Sequence, residues 1–80
     1  MDPILAEIYA ALKDAGDLPE PEKLDPERPL AEQGVDSLEL FNAFLAVEEK
    51  TGIKIPDERM NDMRSLRDLA QFIGESRKEA

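Results

Sequence analysis

A chain of 80 residues supports one modest core, because a domain this small buries only about 60–65% of the surface its unfolded form exposes. Hydrophobic residues at 41% are enough to fold it, while 19 acidic residues against 10 basic ones leave a formal net charge of −9. The absence of Cys and His excludes disulfides, thiolate catalysis, Cys/His zinc sites and any histidine-based triad.

Asp2 followed by Pro3 reads as an N-cap and a first helical residue, since proline's missing N–H is no loss there. Ile4, Leu5, Ile8, Tyr9 and Leu12 then recur at helical spacing, and Gly16 offers a left-handed stop. The first helix is expected over Pro3–Ala15.

From Asp17 to Val35 the texture changes, with Pro19, Pro21, Pro26 and Pro29 breaking any long helix. Leu18, Leu24, Leu30 and Val35 are expected to pin this segment to the core, with a short helical turn around Leu30. A disordered linker is the competing reading.

A second helix opens at Asp36-Ser37-Leu38-Glu39, where Asp36 and Glu39 are spaced for a capping box. It runs to about Lys50 and stops at Gly52. Ile53-Lys54-Ile55-Pro56 is an extended connector, because the residue before proline is pushed out of the helical region. A short third helix follows from Asp57 to Asp62 or Met63. Ser65 caps the last helix with Asp68 three residues on, and Leu66, Leu69, Ala70 and Ile73 form its apolar stripe beside Phe72. The fold class is all-α: a small four-helix bundle of three longer helices and one short one, with a long loop between the first two, forming one domain over residues 1–80.

The second helix carries two apolar stripes. At about 100° per residue, Leu40, Ala43, Phe44 and Val47 share the side expected to face the core. Leu38, Phe41 and Leu45 fall on a different side, flanked by Glu48 and Glu49. One stripe suffices for folding, so the second reads as a docking surface; burial of both is the alternative.

Charge narrows the partners. A surface this negative repels nucleic acid phosphates and anionic lipid, and steers toward partners presenting Lys and Arg; plain solubility is the bland alternative. Nothing at Met1-Asp2-Pro3 resembles a signal peptide, and no stretch approaches the roughly 18 apolar residues of a membrane span. A soluble, cytoplasmic monomer is expected, with no metal site: carboxylate pairs such as Glu48–Glu49 or Asp57–Glu58 imply no catalytic pocket, and no calcium-loop pattern occurs.

Gly34-Val35-Asp36-Ser37-Leu38 places a serine hydroxyl near solvent at a helix start, where unpaired N–H groups favour a phosphate. Such a serine, taken alone, is an ordinary helix-start residue. The run GVDSLEL, followed by Gly52, IKIP and an acidic short helix, resembles the acyl carrier protein family across nearly the whole chain. The resemblance implies that Ser37, flanked by the motif positions Asp36 and Leu38, receives 4′-phosphopantetheine from coenzyme A through a Mg²⁺-dependent phosphopantetheinyl transferase. It implies a non-enzymatic carrier whose cargo rides as a thioester on that arm, loaded by a ligase and consumed by synthase or transferase enzymes. Those enzymes would bring basic docking surfaces to Leu38, Glu39, Phe41, Leu45, Glu48 and Glu49. Asn42 stands where fatty-acid synthesis carriers usually have a glutamate, and Thr51 where an aromatic is common, which points to a specialised biosynthetic pathway. An aminoacyl or peptidyl carrier shares the Asp-Ser-Leu motif, and an unmodified helical interaction domain is the rival from another class.

Overall fold

A computed structural model describes residues 2–16 and 18–79. Asp17, where the sequence reading begins the long loop, lies outside the described residues. The chain forms α1 (Pro3–Ala15), α2 (Ser37–Thr51), α3 (Asp57–Met60) and α4 (Leu66–Glu79), with no strand among the described residues.

The helix ends follow local chemistry. Asp2 Oδ1 accepts the Ile4 N–H at 2.8 Å, Pro3 opens α1, and Gly16 closes it at φ 72°. In α4 the cap is reciprocal: Ser65 Oγ accepts the Asp68 N–H, and Asp68 Oδ2 accepts the Ser65 and Arg64 N–H groups. These bonds satisfy donors that a helix start leaves without intrahelical partners. The third helix is shorter than expected. It ends at Met60, and Asn61 and Asp62 form a turn instead.

The helices share one core. Leu5, Ile8 and Leu12 of α1 meet Ala43, Phe44 and Val47 of α2 and Leu66, Leu69 and Ile73 of α4, all buried. Burying each large aliphatic side chain is worth roughly 1.5–3 kcal/mol, which is how a short chain offsets its ordering entropy.

The segment between α1 and α2 is a structured strap rather than a linker. It holds two 3₁₀ turns, the expected one at Leu30–Gln33 and an unforeseen one at Pro21–Lys23. Leu18, Leu30 and Val35 are buried, and Leu24 is half-buried. Two backbone bonds join the strap to the start of α4, from Leu30 N–H to Arg64 O at 2.8 Å and from Arg67 N–H to Pro26 O at 2.9 Å. The Tyr9 hydroxyl donates to Leu24 O at 2.7 Å. Gln33 clasps the strap from within: its carbonyl accepts the Asp25 N–H, and its amide donates to Asp25 O and Arg28 O. Four prolines thus prevent a long helix without preventing order. Among the described residues, no helix is long and apolar enough to cross a membrane.

Candidate functional site

The strap delivers the chain to the start of α2. Gly34 ends the second 3₁₀ turn at φ 88°, a left-handed conformation that favours glycine. Val35 then buries its side chain and donates its N–H to Leu30 O at 3.2 Å. Asp36 and Glu39 form the expected capping box, with Asp36 Oδ1 accepting the Glu39 N–H at 2.8 Å and Glu39 Oε1 accepting the Asp36 N–H at 3.0 Å. The box leaves the N–H groups of Ser37 and Leu38, the first two helical positions, without acceptors inside the helix.

Ser37 is the first residue of α2, and it is exposed. Its neighbours Asp36 and Leu38 are exposed too, while Val35 on one side and Leu40 on the other reach inward. A buried anchor and a reciprocal cap therefore fix the backbone around an accessible hydroxyl.

The two stripes of α2 separate as expected. Ala43, Phe44 and Val47 are buried, whereas Leu38, Phe41 and Leu45 are 68%, 46% and 41% exposed. These three are the exposed large hydrophobics among the described residues, so burial of both stripes is ruled out. Leu40, expected in the core, is only half-buried because it lines a groove described below.

The acids around the stripe differ from one another. Glu49 is exposed. Glu39 is half-buried and holds the cap. Glu48 is half-buried, and its Oε2 accepts the Ile55 N–H at 2.6 Å, tying α2 to the connector that leads to α3. Neighbouring acids in the sequence thus have different work in the fold.

An open groove of about 330 Å³ starts at Ser37 and runs between α2 and α3. It is lined by Leu40, Phe41 and Phe44 from α2 and by Asp57, Met60 and Asn61 from α3 and the turn after it. Sequence reading did not place Asp57, Met60 or Asn61 at the site. The available signal was Met60 itself, the single apolar residue in the acidic run Asp57-Glu58-Arg59-Met60.

A family model described as a phosphopantetheine attachment site matches residues 6–73, which spans the strap, the Ser37 turn and most of α4. The chain belongs to this family, that of the acyl carrier proteins. An acyl carrier protein of Thermosynechococcus vestitus is 35% identical over 71 residues, covering 88% of this chain and 86% of that one. An acyl carrier protein of Treponema denticola is 44% identical over 45 residues, covering 56% and 58%. A meromycolate extension acyl carrier protein of Mycobacterium leprae is 33% identical over 55 residues, covering 68% and 48%. The matches to the treponemal relatives thus span little more than half the length of those proteins.

Family membership implies a covalently attached 4′-phosphopantetheine, and the local chemistry fits one. A phosphodiester needs a primary or secondary hydroxyl that a modifying enzyme can reach, and Ser37 offers one. Its negative charge sits favourably near unpaired N–H groups at a helix start. When attached, the arm supplies a terminal thiol, a group the Cys-free chain does not have. Among the described residues, no group of three or more metal-ligating side chains converges.

Proposed function

We propose that the chain is an acyl carrier protein bearing its 4′-phosphopantetheine on Ser37, holding an acyl group as a thioester and presenting it to partner enzymes. The observation that carries this reading is the exposed Ser37 hydroxyl at the first position of a helix whose start is capped by its neighbours rather than by the serine. On this reading the protein catalyses nothing. Asp36 and Glu39 hold the helix start, Ser37 anchors the arm, and Leu38, Phe41 and Leu45 meet the enzymes. The likeness to proteins named acyl carriers favours an acyl over an aminoacyl or peptidyl cargo. A specialised biosynthetic pathway is supported by Asn42 and Thr51, and the likeness to a meromycolate extension carrier is compatible with it.

Partners follow from the charge. A phosphopantetheinyl transferase, a loading ligase and downstream synthases would each bring a basic surface to an acidic chain with a small apolar stripe. Such contacts are fast, salt-sensitive and easily broken, which suits a shuttle.

The test is intact mass after incubation with coenzyme A, Mg²⁺ and a broad-specificity phosphopantetheinyl transferase. The wild-type chain gains one phosphopantetheinyl unit and Ser37→Ala gains none. An unchanged wild-type mass with several such transferases would instead favour an unmodified interaction domain.

A further inference from the structure

Ser37 and Leu38 sit inside a closed ring of chain. Two hydrogen bonds run in opposite directions between Asp36 and Glu39, one from the Glu39 N–H to Asp36 Oδ1 and one from the Asp36 N–H to Glu39 Oε1. Just upstream, the buried Val35 is held by its N–H on Leu30 O. The backbone is therefore fixed on both sides of the serine, and the cap is made by its neighbours.

Glu39 leans toward the strap rather than toward the exposed stripe. It is half-buried, and it lines a hollow of about 270 Å³ with Leu18, Leu24, Gln33 and Val35. Around α2 it stands about 100° from Leu38, while Phe41 and Leu45 fall on the other side of that leucine. Its bond to the Asp36 N–H needs an oxygen and not a charge, because an amide oxygen accepts the same bond. A contact with a basic partner needs the charge. The two roles can thus be separated within one side chain.

We propose that Glu39 is a positioning residue for attachment at Ser37, acting through the Asp36 N–H and independently of its charge, in place of the partner contact expected of it. The proposal rests on attachment of the arm at Ser37. In that reaction Ser37 Oγ forms a bond to the pantetheine-bearing phosphorus of coenzyme A. The pyrophosphate P–O bond breaks, adenosine 3′,5′-bisphosphate leaves with the bond's electrons, and the hydroxyl proton passes to a base of the transferase. An oxygen that must meet phosphorus in line gains from a backbone already held in place. With the ring open, Ser37 belongs to a fraying first turn, and its hydroxyl is aimed for less of the time.

The experiment compares wild type, Glu39→Ala and Glu39→Gln. Intact mass followed over time, with coenzyme A, Mg²⁺ and a broad-specificity phosphopantetheinyl transferase, gives kcat and KM. Amide exchange of the Asp36 N–H reports the ring without reference to activity. Glu39→Ala is expected to lose Asp36 protection and about tenfold in rate, chiefly in kcat. Glu39→Gln is expected to restore both, to within about twofold of wild type in rate. Its rate should also fall with added salt in parallel with wild type, whereas loss of a docking charge would flatten that dependence. A slow Glu39→Gln with Asp36 still protected, a flattened salt dependence, or a fast Glu39→Ala with Asp36 unprotected would overturn the positioning role while leaving attachment intact. Absence of any mass gain in wild type would overturn attachment at Ser37 and this proposal together. Should Glu39→Ala lose its helix content, Glu39→Gln decides by the same two readouts.

Discussion

Glu48 holds Ile55 by its backbone: the carboxylate Oε2 accepts the Ile55 N–H at 2.6 Å, bridging the end of α2 to the connector before α3. Ile55 is itself buried, so the bond keeps a core residue in register with a helix seven positions earlier. A hydrogen bond to a charged group is worth roughly 1.5–3 kcal/mol, less where water competes. Glu48→Ala is therefore expected to lower Tm by several degrees, read by thermal denaturation. Glu49→Ala should leave Tm unchanged and slow acyl transfer by a basic partner. Equal Tm losses in both variants would show that the two acids are equivalent after all.

Phe41 gives the complementary case. Its ring is nearly half exposed on the stripe shared with Leu38 and Leu45, so the fold does not depend on it as it does on Phe44. Phe41→Glu should leave far-UV dichroism intact and cut transfer by partner enzymes about tenfold or more, the loss expected when one aromatic contact worth about 1.5 kcal/mol is replaced by a charge. Unfolding of this variant would place Phe41 in the core instead.

Much of this arrangement is legible in the sequence because periodicity and capping are local. Asp2-Pro3, Asp36 with Glu39, Ser65 with Asp68, and the left-handed glycines Gly16 and Gly52 mark helix ends through bonds made within a few residues. The double stripe of α2 is equally local, since a 100° step suffices to separate Leu40 from Leu38. What escapes such reading is long-range. The clasp of Gln33 on Asp25 and Arg28, the bond of Leu30 to Arg64, and the place of Met60 opposite Phe41 each depend on how distant segments meet. The reassignment of Glu48 has the same origin, because nothing in its helix position reveals that a backbone N–H from beyond Gly52 will point at it.

The strap between α1 and α2 should respond to loss of one hydroxyl. Tyr9 donates to Leu24 O, and burial around the phenol, with help from the negative charge of Asp25, raises its pKa above the usual tyrosine value. The protonated form is the one the fold favours. Its contribution is intact below about pH 10 and is lost as pH rises through the raised value. Tyr9→Phe is expected to cost about 1 kcal/mol at neutral pH and to speed amide exchange in the strap. Exchange unchanged throughout Pro19–Val35 would argue that Leu18 and Leu30 suffice to hold it.

Acid should act on a pair that joins α1 to α4. Arg77 grips Glu7 with two prongs, Nη1 to Oε1 at 3.2 Å and Nη2 to Oε2 at 2.6 Å. That bond lowers the Glu7 pKa, against the opposing effect of partial burial. Stabilisation by Glu7 is thus fully present above about pH 4.3 and disappears as pH falls through the lowered value. Both side chains are more than a third exposed, so the effect is small. Glu7→Gln is expected to melt about 2 °C lower or less at pH 7 and to match wild type near pH 2. A gap that widens in acid would contradict the sign.

Salt tests the balance of the whole surface. The ion pairs among the described residues are exposed, and screening weakens each of them. Self-repulsion from a net charge of −9 is screened as well, and it is expected to dominate because acids outnumber bases 19 to 10. Tm is expected to rise between low and moderate ionic strength. A fall would mean that the cross-links through Arg67 and Arg77 outweigh the excess of acid.

Gly34 meets no atom within 4 Å where a side chain would begin. Space therefore does not demand a glycine there; the left-handed turn that sends the chain toward α2 does. An alanine at position 34 would clash with nothing in this molecule and would still strain the backbone at φ 88°. Position 34 is thus governed by torsion and not by crowding, so a residue tolerant of positive φ would be accommodated where a bulkier neighbourhood would refuse it.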